Sequence, residues 1–240
     1  MVRKKILYCK CSYTDLIPKD TEETLMQGLK KTDSEVYIVP DLCKFCTQKD
    51  SFLSCLEQEE FILLACYPRG VRNLLAQSSI LLHEKSIILN TRNQSGQEIL
   101  EKIQLPPGGA YFKMLEDRQQ DWIPWFPIID YKRCQNCKQC LNFCLFGVYE
   151  TDKQGKIRVA KPQNCKNNCP ACARICPEVA IVFPKYTEDP INGSEILDEE
   201  KERIRARENI ENMLGSDPYT TLLQRRRKKA KLSLIQQNHE

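Results

Sequence analysis

The chain has 240 residues, 41% of them hydrophobic, which suits two small units plus tails better than one extensive core. Its formal charge of +4, on 28% charged residues, is too mild to imply nucleic-acid binding by the whole chain. The longest apolar run, 61–66, is far shorter than the roughly 20 residues that cross a membrane, and Cys9, Lys10 and Cys11 interrupt the stretch after basic Arg3, Lys4 and Lys5, so no span or secretory signal is expected and the chain reads as cytoplasmic.

Between residues 5 and 90, short apolar runs alternate with amphipathic stretches: strands are predicted at 6–8, 36–39, 61–65 and 87–89, and helices at 21–31, 52–56 and 71–77. That rhythm implies a parallel sheet with right-handed crossovers and covering helices, so 1–95 is expected to be a small α/β domain. Residues 96–127 hold the turn Pro106-Pro107-Gly108-Gly109 and the aromatics Trp122, Trp125 and Phe126, and read as a linker whose aromatics cover a neighbouring core; a partner surface is the alternative. Within 128–187, Cys169, Cys172, Cys176 and Ala180 lie 32 residues after Cys137, Cys140, Cys144 and Val148, as in a duplicated half-domain. Residues 188–240 read as a charged tail, helical over 198–212. Its part 218–237 carries six basic residues and no acidic one, with Arg225, Arg226, Arg227, Lys228 and Lys229 consecutive. Such a run is a solvated helix end, a flexible arm or a docking arm, and without a nucleic-acid fold signature it does not point to nucleic acid.

Fourteen cysteines without an export signal indicate metal binding or redox chemistry rather than a disulfide framework. The only histidines are His83 and His239, so thiolate-only sites are expected. The nine glycines have neither the GxGxxG nor the GxxxxGK spacing, so there is no FAD, NAD or Walker A motif, and a flavin would bind by another route or sit on a partner.

Cys134, Cys137, Cys140 and Cys144 have the spacing CxxCxxCxxxC, and Cys165, Cys169, Cys172 and Cys176 have CxxxCxxCxxxC followed by Pro177. One loop of closely spaced cysteines can wrap three corners of an iron-sulfur cube while the fourth thiolate comes from elsewhere. Over 128–187 the chain resembles the bacterial-type two-cluster ferredoxins, which implies an α+β fold, two 4Fe-4S clusters and one-electron transfer. In that family the fourth cysteine of a run ligates the other cluster. The resemblance thus implies one cluster on Cys134, Cys137, Cys140 and Cys176, and a second on Cys165, Cys169, Cys172 and Cys144. Two departures stand out: Leu145 takes the place of the usual proline, and the second run has one extra residue between Cys165 and Cys169, which loosens the loop there. Two four-cysteine zinc sites are the alternative. Lys132, Arg133 and Lys138 beside the first run would raise the potential or dock an acidic partner, or are simply solvated.

In the α/β domain, Cys9 and Cys11 end strand one, Cys43 and Cys46 follow strand two, and Cys66 ends strand three. Parallel strands bring all five to the carboxyl edge of the sheet, where ligands of open α/β sheets bind. Cys55 falls in a predicted helix and reads as a small buried hydrophobe. The segments Tyr8-Cys9-Lys10-Cys11, Asp41-Leu42-Cys43-Lys44-Phe45-Cys46 and Ala65-Cys66-Tyr67-Pro68-Arg69 resemble the amino-terminal domain of the FAD-bearing subunit of heterodisulfide reductase. The resemblance implies a third 4Fe-4S cluster on Cys9, Cys11, Cys46 and Cys66, with Cys43 as an alternative ligand. Free thiols, a reversible disulfide and zinc remain alternatives. Arg69 and Arg72, opening the next helix, would offset cluster charge, bind an anionic partner group or be solvated.

No nucleophile–base pair or acid–base constellation suggests substrate turnover. The expected function is an iron-sulfur carrier or oxidoreductase subunit, within an anaerobic-type redox complex, passing single electrons between protein partners that include a flavin-containing oxidoreductase subunit. The alternative is a redox- or metal-sensing regulator that uses the amino-terminal cysteines.

Overall fold

A computed structural model of the chain describes residues 3–116, 122–217, 220–222 and 224. The chain divides into two units, Met1–Pro124 with Asn192–Glu195, and Trp125–Ile191 with Ile196–Glu240.

In the first unit, strand β1 (Lys4–Cys9) leads to helix α1 (Lys19–Leu29), β2 (Ser34–Val39), α2 (Leu42–Gln48), a 3₁₀ turn at Ser51–Ser54 and α3 (Cys55–Gln58). Strand β3 (Phe61–Ala65), α4 (Pro68–Gln77), β4 (Ile87–Asn90), α5 (Gly96–Ile103) and β5 (Tyr111–Met114) follow. The five strands form one sheet in the order β4-β3-β1-β2-β5, and every pairing is parallel. Strand β3 is buried along its whole length, which is why Phe61-Ile62-Leu63-Leu64-Ala65 is continuously apolar rather than alternating. From β1 the chain first adds β2 on one side and then crosses to β3 on the other, so β1 and β3 flank the topological switch point, where open sheets leave a crevice.

The parallel α/β sheet matches the expectation, but the stretch 96–127 is more than a linker: it supplies α5 and the edge strand β5. Helix α5 starts with a capping box, in which Ser95 accepts from the Glu98 backbone N–H and the Glu98 carboxylate accepts from that of Ser95. Its Ile99 is fully buried with Leu25 and Leu29 of α1. Strand β5 carries exposed Tyr111 and Met114, so no alternation marks it in the sequence. Helix α2 lies where only a loop with two cysteines is apparent; Asp41 caps it by accepting from the Lys44 N–H at 3.1 Å.

In the second unit, β6 (Ile128–Ile129) pairs antiparallel with β9 (Ile181–Val182), and β7 (Tyr149–Thr151) with β8 (Ile157–Val159). Short helices α6 (Gln139–Phe143) and α7 (Ala171–Arg174) lie inside the two cysteine runs, and α8 (Glu199–Leu214) follows. The 32-residue repeat extends to the backbone: Asn136 and Asn168 both have φ of 58°, and Gly147 and Val179 have φ of 68° and 50°. Each asparagine immediately precedes the second cysteine of its run, so the extra residue of the second run lies upstream of a shared turn. Trp125, 6% exposed, stacks on Phe183 at 5.4 Å and covers this unit's core, as expected of the aromatic patch.

The 188–240 stretch is only partly a tail. Helix α8 packs with this unit through Leu214, buried with Phe143 and Ile175, and its first turn holds Glu199, which receives Arg133 Nη1 and Nη2 at 2.7 and 2.8 Å. The basic run 225–229 lies outside the described residues. Among the described residues, no helix is long and apolar enough to cross a membrane.

At the first residue of α5, a Cβ on Gly96 would stand 2.7 Å from Thr24 Cβ and 3.0 Å from the Thr21 carbonyl oxygen of α1. Neither atom is the free end of a flexible chain. Gly96→Ala is therefore expected to lower stability by about 1–3 kcal/mol despite alanine's better helix propensity, as checked by denaturant unfolding of the purified chain.

Candidate metal centres

Two cavities of the second unit are lined by cysteines drawn from both runs. The first, of about 390 Å³, is lined by Cys134, Cys137, Cys140 and Cys176. The second, of about 600 Å³, is lined by Cys144, Cys165, Cys169 and Cys172. In each, three cysteines come from one run and the fourth from the last position of the other. The roomier second cavity goes with the longer Cys165–Cys169 loop. Sulfur is the only metal-ligating side-chain donor that both cavities share, and four thiolates around one space are the donor set of an iron-sulfur cluster.

Burial raises four of these eight thiols. It pushes the Cys165 thiol up to about 12, with Cys144 and Cys169 adding to the rise. The thiols of Cys140, Cys172 and Cys176 are likewise raised, first by burial. At Cys140 the next contributions come from Cys176 and Cys137, its companions in the first cavity. Hydrogen bonds oppose the rise, among them Tyr149 Oη–H donating to Cys172 Sγ at 3.1 Å and the Ala180 N–H donating to Cys176 Sγ at 3.3 Å. Asn136 ties the first loop to the β7–β8 hairpin, donating to the Gly155 carbonyl and accepting from the Ile157 N–H, both at 2.9 Å. Arg133 is engaged by Glu199 and by the Glu178 carbonyl at 2.8 Å, which explains its place beside the run without a docking role. Both sites reach the surface: Cys137 is exposed, and Leu145 and Phe146, which line the second cavity, are 63% and 44% exposed.

In the first unit, Cys9, Cys11, Cys43, Cys46 and Cys66 are all buried. Four of them converge at the carboxyl ends of β1 and β3. The Cys66 thiol is raised first by its hydrogen bond with Cys11, then by burial, then by Cys11, Cys9 and Cys43 nearby. Cys9 Sγ accepts from the Leu42 N–H at 3.2 Å, and Cys11 Sγ lies 3.1 Å from Thr14 Oγ1. Cys11 itself has φ of 50°, which turns the chain out of β1. Cys46 is placed differently: it sits one helical turn beyond Cys43 in α2, beside Ser78, and burial raises its thiol to about 12. Cys43 is thus among the groups whose charge raises the Cys66 thiol, whereas Cys46 lies beside Ser78. Cys55 is half-buried and donates to the Phe52 carbonyl at 2.7 Å, apart from the group.

Nothing in the sequence marks Lys44, which is fully buried and donates to Tyr13 Oη at 2.9 Å, because lysine is ordinarily a surface residue. Tyr149 is equally unmarked, since its hydroxyl finds Cys172 only through the fold. Arg69, expected to face a cluster or partner, is buried and donates through Nε to the Ser194 carbonyl at 2.8 Å. Among the described residues, no three His, Cys, Asp or Glu side chains are arranged around a single metal ion.

Comparison with known proteins bears on residues 126–177, which match the model of the 4Fe-4S dicluster domain. An uncharacterized ferredoxin of Methanocaldococcus jannaschii is 49% identical over 63 residues, 26% of this chain and 42% of that protein. The PorD subunit of pyruvate synthase from the same organism is 30% identical over 67 residues, 28% of this chain and 76% of that subunit. The chain therefore spans less than half of the first relative and about three quarters of the second. No solved structure matches the chain. The matched dicluster domain and these two relatives place the chain in the 4Fe-4S dicluster ferredoxin family of iron-sulfur electron carriers.

Proposed function

We propose that the second unit holds two 4Fe-4S clusters, one on Cys134, Cys137, Cys140 and Cys176 and one on Cys144, Cys165, Cys169 and Cys172. The observation that carries this reading is the sorting of eight cysteines into two cavities, each lined by three thiols of one run and one of the other. When bound, such clusters take up and release single electrons. The chain's own residues do the rest: the cysteines ligate, Ile129, Val148 and Ile181 exclude water, and Leu145, Phe146 and Cys137 bring the sites to the surface. The PorD relative, named as a subunit of pyruvate synthase, supports placing the chain as an electron-transfer subunit of an oxidoreductase complex. A flavin-containing subunit suits it as a partner, because the chain has no dinucleotide glycine motif of its own. None of the described cysteines is in a disulfide, which suits a reducing compartment such as the cytoplasm.

The first unit, on this reading, carries a third cluster at the β1/β3 switch point. Its support is the convergence of buried Cys9, Cys11, Cys43 and Cys66. Cys43 takes the place that the sequence alone assigns to Cys46.

Iron and acid-labile sulfide per chain, measured on anaerobically purified protein, test both statements. About twelve irons are expected, falling to about eight in a Cys9→Ser, Cys66→Ser double variant. About eight in both would remove the third cluster, and no iron would overturn the whole reading. The two candidates for the fourth ligand separate by the same assay. Cys43→Ala is expected to lower the count by about four irons, and Cys46→Ala to leave it unchanged; the reverse result would restore the Cys46 set.

A further inference from the structure

The internal repeat offers a comparison within one molecule. Thirty-two residues separate Tyr149 from Ile181, so the two occupy equivalent places in the two halves, each one residue beyond the repeat-related pair Val148 and Ala180. Each also lines the cavity that follows its own run: Tyr149 the second, Ile181 the first. Their chemistry differs. Isoleucine has no polar atom, whereas Tyr149 is 3% exposed and its hydroxyl donates to Cys172 Sγ at 3.1 Å.

A hydrogen bond to a ligating sulfur draws electron density from it and stabilises the more negative, reduced state, which raises the reduction potential. In a buried site the effect is poorly screened. A backbone donor such as the Ala180 N–H to Cys176 belongs to the fold and is not set by side-chain identity. A tyrosine hydroxyl is, and here it is given to only one member of a repeat-related pair.

We propose that Tyr149 is a positioning residue that raises the potential of the cluster held by Cys144, Cys165, Cys169 and Cys172 through its hydroxyl bond to Cys172, leaving the other cluster unaffected. The inference rests on the reading of these four cysteines as a cluster site. The residue thereby sets the second site independently of the first, and makes an electron rest there longer than the shared scaffold alone would dictate.

The test uses the full chain with Tyr149→Phe, which keeps the ring in the core and removes only the hydroxyl. Iron content is measured first, and each cluster's potential then follows from a redox titration monitored by electron paramagnetic resonance. Unchanged iron with a downward shift confined to one cluster is the expected result. Unchanged iron with no shift, or with equal shifts of both clusters, overturns the proposal while leaving the cluster assignment intact; absence of iron in the parent chain defeats the assignment itself. Should Tyr149→Phe fail to load, 3-fluorotyrosine placed at 149 decides the matter. Its more acidic hydroxyl is a stronger donor and is expected to raise the same potential, an opposite sign that a packing role would not produce; no rise overturns the proposal.

Discussion

Desolvation of sulfur is the constraint on which both units turn. A thiol buried as Cys140, Cys165 and Cys172 are is held neutral, well above the ordinary thiol range, because a thiolate there would lose its hydration without compensation. Bound iron would supply that compensation, because a thiol that coordinates a metal is held as the thiolate and its proton is released to solvent. The second unit packs its apolar residues around two spaces lined by sulfur, and its strands are two or three residues long, so on the proposed reading metal loading would be linked to its folding. The core around these spaces, from Trp125 to Phe183, is thin, and the cysteines are part of it rather than additions to it.

The crossing of the two runs follows from the same constraint. A short loop can direct three sulfurs at one point but must travel on before a fourth can return to it. Here the short helices α6 and α7 carry the chain away from each cavity, so that Cys144 and Cys176 reach the opposite one. The left-handed turns at Asn136 and Asn168 make the loops tight enough to do this, and asparagine tolerates that conformation better than most residues. Val179 is the exception. It occupies the place of Gly147 with φ of 50° and is buried, so a β-branched side chain is kept where glycine would fit the backbone more easily.

The legibility of the sequence divides along physical lines. The parallel sheet shows in apolar runs such as 61–65, and the paired cavities show in cysteine spacing, because hydrophobic period and ligand spacing are local properties. Strand β5 is hidden because an edge strand needs no alternation, and α2 because its cap, Asp41, sits in front of a run dominated by cysteines. Helix α5 is legible in principle, since Ser95 and Glu98 stand at capping-box spacing before Ile99 and Leu100. Cys43 and Cys46 are not told apart in the sequence, since both follow β2 closely; the seating of α2 places Cys46 beside Ser78.

That seating gives the first unit its chemical character. The β1/β3 switch point is where an open sheet leaves its crevice, and the residues that close it are Cys9, Cys11 and Cys66 from the strand ends and Cys43 from the first turn of α2. In the same turn Lys44 is removed from water, its ammonium against the hydroxyl of Tyr13 and 4.5 Å over that ring. A buried ammonium is costly unless negative charge lies within its field. Asp41, buried in the same short segment, accepts the Lys44 backbone N–H at the cap of α2.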